Sequence, residues 1–311
     1  MRRWWLKRVG QLLIVIWALG TLVFFLNALL PGDPVTLMLG ENALPGEVER
    51  VRHDLGLDRP ILERYVRFWS HTLIGDFGTS VFTREPIRIE LARRLRATAL
   101  LAVASLSLAL VIGLPVGWFA ARRAGSFKDR VLTGLATLGV AIPSFWLAPL
   151  LMLLFSIRLG WLPVSGYGSL RHLVLPAVTL AAGLTAYLAR ISRAAFLQTL
   201  RQPFVTAARA RGLPSHRILL FYIFKPSAIP IVTVAGLQLG ALLTGTVITE
   251  TIFAWPGVGR YLIEGIYARD YPVVQACVLV FGVIYALTNL LVDALYTYLD
   301  PRTRTLMEQF Q

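Results

Sequence analysis

The side chains able to do covalent or metal chemistry are few in this 311-residue chain, and they do not converge. Four histidines, His53, His71, His172 and His216, are scattered, with no H-E-x-x-H spacing to put two imidazoles on one helix face for zinc. No glycine is followed by a lysine, which excludes the G-x-x-x-x-G-K-[ST] loop that cradles nucleotide phosphates. A G-x-S-x-G nucleophile turn is also missing. The only cysteine, Cys277, lies inside an apolar run, so an intrachain disulfide is impossible and a buried structural thiol is expected. No catalytic, cofactor-binding or metal-binding residue is predicted, and the chain is not expected to be an enzyme.

The polar stretch that does stand out runs from Thr206 to Arg217. It is helix-prone on each side and broken at Gly212-Leu213-Pro214. Ala207 and Ala208 are small enough for another surface to approach closely, while Arg209, Arg211 and Arg217 bring charge with no acid nearby. This suits a short helix seated in a partner's groove, and it equally suits an ordinary basic loop at a membrane face.

The elements around it are apolar. Hydrophobic residues make up 56% of the chain and charged ones 15%, against roughly 25% charged in soluble domains. Mean hydropathy is +0.64. The net charge of +14 invites a nucleic-acid reading, which fails because the basic residues sit between long apolar runs. Those runs cover residues 9–30, 97–120, 131–157, 173–188 (extended through 189–200), 228–253 and 273–298. The first follows a basic start but is longer than a signal peptide's apolar core and has no small-residue cleavage site, so it is read as an uncleaved span. Pro115, Pro143, Pro149 and Pro176 predict kinks. The fold class is an all-α integral membrane protein with about six transmembrane helices and a small helical extracytoplasmic insert.

Orientation follows from charge. With the amino terminus inside, the inner segments carry four Lys/Arg before the first span and four at Arg122, Arg123, Lys128 and Arg130. Seven more lie between Arg190 and Lys225, and two at Arg302 and Arg304. The two short outer loops hold only Arg158, Arg171, Arg260 and Arg269. Residues 31–96 carry ten basic and ten acidic residues and read as a folded cap. There Pro60 opens a helix with Ile61, Leu62, Tyr65, Val66, Trp69 and Leu73 on one face. Gly75-Asp76-Phe77-Gly78 ends that helix, and Pro86 starts a basic one feeding the second span. The domains are thus residues 1–30, the cap 31–96, a five-span core 97–304 with a cytoplasmic loop 201–226, and a tail 305–311.

An ion-coupled carrier places carboxylates or histidines near the membrane midplane. Between Asp129 and Glu250 there is no acidic residue. Only Glu250 and Asp293 remain in the later runs, where interfacial placement or a polar contact between helices also explains them. An ion-coupled secondary transporter is the distant alternative. In the fifth run, Gly236-x-x-x-Gly240 and Gly245 suit close helix packing, and Gln238, Thr244, Thr246, Thr249 and Glu250 are candidates for lining a polar path. Trp255-Pro256-Gly257-Val258-Gly259 reads as a tight outer turn, either an interfacial turn with an aromatic anchor or one with a role in gating or in contact with a binding protein.

Thr206-Ala207-Ala208-x-x-x-Gly212 is similar to the E-A-A-x-x-x-G motif of ATP-binding-cassette importer permeases. Thr206 stands where the acid does, and Pro226 falls one position late. This variant, Thr206-Ala-Ala-Arg-Ala-Arg-Gly-Leu213, resembles the dipeptide/oligopeptide branch, whose members often carry T-A-R-A-[KR]-G-L there. So do Pro31-Gly32-Asp33-Pro34, Leu55-Gly56-Leu57-Asp58-Arg59-Pro60, Gly75-Asp76-Phe77-Gly78-Thr79-Ser80, Glu250-Thr251-Ile252-Phe253, Trp255 to Arg260, and the ending Arg269 to Pro272, Asn289, Asp293 and Asp300-Pro301-Arg302. The resemblance covers about residues 1–304.

It implies the first permease of a pair, the one with the large outer loop, in a bacterial or archaeal cytoplasmic (inner) membrane with both termini cytoplasmic. The implied partners are a second homologous permease, two cytoplasmic ATPases that hold ATP and Mg, an extracytoplasmic substrate-binding protein and the lipid bilayer; no nucleic acid is involved. Thr206, Ala207, Ala208, Arg209, Arg211, Gly212 and Pro214 would form the helix coupling this chain to an ATPase. The implied cargo is di- or oligopeptides, with nickel chelates or glutathione as alternatives for the same machinery.

Overall fold

The computed structural model describes residues 2–29, 45–54, 56 and 58–299, and every regular element among them is a helix. Residues 31–34 and 300–311, which carry part of the resemblance, lie outside the described residues. Helix α1 (Arg2–Leu29) contains the apolar stretch Leu6–Leu26. After α2 (Pro45–Asp54), α3 (Ile61–Leu73) starts behind Pro60, and its exit is turned by Gly75 and Gly78, both at φ +74°. Helix α4 (Ile87–Arg122) follows Pro86 and runs 36 residues without a break, about 54 Å. The basic helix expected after Pro86 and the second span are therefore one helix.

The third apolar run, 131–157, bends at Pro143, where a kink was expected, and the bend is sharp enough to divide the run into two helices. Helix α5 (Phe127–Ala141) meets α6 (Ser144–Leu151, continued by wider π-type turns over Met152–Arg158) at a 96° bend. Pro143 is the cause: it disfavours helical backbone at Ile142, which takes φ −80°, ψ 115°. Helix α7 (Leu170–Leu200) is one long element, and α8 (Pro203–Ala210) follows it.

The fifth run also departs from expectation. It begins earlier, at α9 (Ser215–Arg217), and passes through π-type turns at Ile218–Phe224 into α10 (Lys225–Gly245). Pro226 lacks an N–H and crowds the carbonyl four residues back, which the wider turns relieve. The helix then breaks at Thr246 before α11 (Val247–Ile252). Helices α12 (Val258–Tyr267) and α13 (Tyr271–Leu299) complete the chain. Five helices are long and apolar enough to cross a bilayer, six if the bent pair is one span.

Small residues let these helices approach. Buried positions of α4 recur every fourth residue at Ala97, Leu101, Ser105, Ala109, Gly113, Gly117 and Ala121, much of that row packed against α7. A Cβ on Gly117 would sit 2.0 Å from Ser192 Oγ and 2.9 Å from the Arg193 nitrogen. In lipid, where burial of apolar surface gives helices little reason to associate, such close packing supplies the attraction. Gly236 and Gly240 of α10 face Val292 and Thr288 of α13, and Leu19 of α1 fills the space over Gly282. Cys277, on α13, is fully buried with Ile87, Val258 and Tyr261.

Candidate functional site

Two constructions at opposite ends of α7 hold the residues singled out by sequence. At its carboxyl end, Pro203 opens α8 and the helix stops in a Schellman arrangement. The Leu213 N–H donates to the Ala208 carbonyl at 3.4 Å and the Gly212 N–H to Arg209 at 2.9 Å. Gly212 takes φ +72°, which only glycine adopts without cost, and a Cβ there would meet nothing within 4 Å. The requirement on Gly212 is therefore backbone shape, not room.

The helix has two distinct faces. Val205 and Ala208 point inward, into a cluster with Ala121, Phe196, Ile218, Ile223 and Ile231. Thr206, Ala207, Arg209, Arg211, Gly212 and Pro214 are exposed. Ala208 was expected on the surface offered to a partner; it is 3% exposed and instead anchors α8 to the bundle. Its smallness serves that internal contact.

Next to α8, an ion pair unites α5 and α7. Arg193 donates from Nε and Nη2 to the two oxygens of Asp129, at 2.6 and 2.7 Å. Asp129 also accepts from the Gly125 N–H at 2.9 Å, and its own N–H is capped by Ser126 at 3.2 Å. A paired, two-pronged arginine is well suited to the edge of a span, where a lone carboxylate would be costly.

At the other end, about 30 Å away along α7, a carboxylate with no side-chain cation in contact among the described residues organises four elements. Glu250 is 0% exposed. Its Oε1 accepts from the hydroxyls of Thr98 (2.7 Å) and Thr246 (2.8 Å), and its Oε2 from the Arg260 N–H (3.0 Å). Thr98 in turn accepts from the Val258 N–H at 2.9 Å. The acid thus sits at the amino end of α12, where backbone N–H groups are unsatisfied and the helix dipole favours negative charge. Gly257 must be glycine for another reason than Gly212: a Cβ there would lie 2.1 Å from the Glu250 carboxyl.

Of the readings left open for 255–259, the interfacial turn with an exposed aromatic anchor does not fit the burial of Trp255. Trp255 is 1% exposed; its Nε1 donates to the Ala97 carbonyl at 2.9 Å and its ring packs edge-on to Tyr167 at 4.8 Å. Gly257 and Gly259 are buried and Pro256 is half-buried. Beside this node, Arg94, held by Glu90 of its own helix at 2.5 Å, joins α4 to α12 through Glu264 (3.0 Å) and lies 4.9 Å over the Tyr261 ring.

The five path candidates separate. Thr246, Thr249 and Glu250 are buried within this chain, while Gln238 and Thr244 are half-buried on α10. Asp293, the second carboxylate in the later runs, lies 3.3 Å from Arg8 of α1. Sequence reading missed Thr98, which has no partner visible in its own segment, and the α4 row of small residues. The four-residue spacing of that row was a readable signal. It also missed Asp270, which is buried and accepts from the Ser80 hydroxyl at 2.5 Å, tying the hairpin before α4 to the start of α13. Among the described residues no group of three His, Cys, Asp or Glu could hold a metal ion.

Residues 113–305 match the family model described as the binding-protein-dependent transport system inner membrane component, and residues 1–102 match the corresponding N-terminal model. The chain is 40% identical over 304 residues to the glutathione transport system permease protein GsiC of Pectobacterium atrosepticum, covering 98% of this chain and 99% of that protein. It is 38% identical over 299 residues to the protein of the same name from Escherichia coli K12, covering 96% and 98%. The fold is similar to that in a solved structure of the inward-facing MetNI methionine ABC transporter, with a TM-score of 0.57 and 19% identity over 68% of this chain and 96% of the other.

Proposed function

The chain belongs to the family of binding-protein-dependent transport system inner membrane components and is a permease subunit of an ATP-driven importer; from that premise we propose that it forms half of a path for short peptides, glutathione among them. The near full-length relatives named for glutathione transport support the cargo reading. Nickel chelates are the alternative for the same machinery.

The outward face of α8 carries the coupling reading. Thr206, Ala207, Arg209, Arg211, Gly212 and Pro214 form an exposed basic surface on and just beyond a helix locked to the bundle through Val205 and Ala208. Such a helix can transmit a push without deforming. It seats one of two ATPase subunits, which hold ATP and Mg. A second permease completes the path, with Gln238 and Thr244 on its wall, and an extracytoplasmic binding protein supplies cargo at the Glu250 end. The distribution of basic residues supports cytoplasmic placement of both termini in an inner membrane.

Coexpression with its cognate ATPases, second permease and binding protein tests this. Vanadate-sensitive uptake of labelled glutathione or dipeptides into vesicles, lost when Arg209 and Arg211 are replaced by Glu, is expected. ATP-dependent uptake of a nickel chelate in place of either would overturn the cargo reading. Transport unchanged by the Arg209 and Arg211 replacements would overturn the coupling surface.

A further inference from the structure

The helix α3 lies beside a membrane-spanning helix and not above it. Tyr65, Phe68 and Trp69 face α1: the Tyr65 hydroxyl is 2.8 Å from Thr21 Oγ1, and its ring lies against Phe24 and Phe25 at 5.3 and 5.9 Å. Phe68 is 5.5 Å from Phe24. The Trp69 indole covers Gly20 so closely that a Cβ there would be 2.7 Å from the ring. Gly20 lies six residues before Leu26 and ten before the end of the 9–30 apolar run, which places this contact roughly 9–15 Å below the end of the span.

Around the axis of α3, successive residues turn by about 100°. Leu62, Val66 and Leu73 therefore share a stripe immediately flanking the face on α1. They are 72%, 60% and 79% exposed. On α1, Leu22, Phe25 and Leu26 are exposed as well, so both helices carry apolar surface that no other described residue covers. The opposite side of α3 is polar, with Glu63, Arg67 and Ser70. Arg59 pairs with Glu63, while Arg64 and Arg67 have no acidic partner among the described residues.

We propose that α3 is embedded in the bilayer leaflet at that end of α1, with Leu62, Val66 and Leu73 among the acyl chains and Arg64 and Arg67 at the level of anionic lipid phosphates. That depth is at or beyond the ~5–10 Å to which interfacial amphipathic helices sink. At such a depth, apolar surface not covered by protein meets lipid, and the same stripe in water would be an exposed patch with no compensation. The segment between the first two spans is then not wholly a domain in water. Part of it widens the membrane-embedded body around α1.

Single cysteines at 62, 66 and 73, and at 63, 67 and 70, carrying an environment-sensitive fluorophore, test the placement in the assembled complex. It is reconstituted in phosphatidylethanolamine–phosphatidylglycerol vesicles with or without spin-labelled lipids, and compared with the permease chain alone. Strong quenching at 62, 66 and 73 by lipids labelled near the headgroup, with aqueous iodide reaching 63, 67 and 70, is the expected result. Equal iodide access at all six positions overturns the proposal. So does protection of 62, 66 and 73 that appears only when the second permease or binding protein is added, since the stripe would then be a protein contact. All six sites are exposed, so labelling leaves the fold in place, and vanadate-sensitive ATPase activity of each labelled complex verifies it.

Discussion

Two glycines show how differently one residue type can be required. Gly212 is constrained by its backbone and Gly257 by its neighbour. Replacing Gly212 by Ala or Leu costs about 1 kcal/mol or more, because a side chain disfavours φ > 0, and the strain falls on the turn that aims α8. We expect Gly212→Leu to keep ATP hydrolysis in the assembled complex while uncoupling it from uptake, measured as transported cargo per ATP; an unchanged ratio would refute the aiming role. Gly257→Ala should instead lower folded yield, with an overpacking cost of about 1–3 kcal/mol. Adding Glu250→Ala opens the space again and should restore yield. Uptake by the double variant should stay low, because the acceptor for the Arg260 N–H is gone; recovery of yield and uptake together would reduce Glu250 to a space filler. The basic segment and its breaking glycine were legible in sequence because the signals are local. The role of Glu250 was not: its partner Thr98 lies 152 positions away, and a lone acid late in an apolar run says nothing of what surrounds it.

Among elements, α4 and α7 form the axis that joins the two constructions. Ala97 lies under Trp255 at one end of α4, and Ala121 packs with Val205 and Ala208 at the other. The glycine and serine contacts between the two helices fix their register, so displacement of α8 is carried along a pair that cannot easily slide. The Asp129–Arg193 pair extends this to α5. Removing only the arginine leaves a largely buried carboxylate unpaired, a loss of about 3 kcal/mol. Arg193→Ala should therefore lower the thermal midpoint of the purified complex, with Arg193→Lys intermediate because it offers one prong. Equal midpoints for all three forms would count against the pair. Helix positions were readable from apolar run length and from Pro60 and Pro86. The bends were not: Pro143 announced a kink, but its 96° angle depends on what α6 packs against, and the break at Thr246 has no proline at all.

For the whole molecule, the sparse acids and the positive segments identified a multi-pass membrane protein before any helix was placed, because the bilayer imposes those patterns on sequence directly. What the chain does with a second permease leaves a weaker trace, since a path wall and a packing face both use Gly, Thr and Gln. The structure divides the candidates, and cysteines should report it: in the assembled complex a polar thiol reagent should modify positions 238 and 244 well before 246. Faster reaction at 246 would mean that the path runs through the Glu250 node. The native thiol will not confuse such work. Cys277 lies enclosed by α4, α12 and α13, which makes the wild-type chain a ready-made blank for thiol labelling. Probes for spectroscopy or crosslinking can be introduced one at a time with no prior engineering, and any reactivity that the unaltered protein acquires becomes a direct report that these three helices have parted.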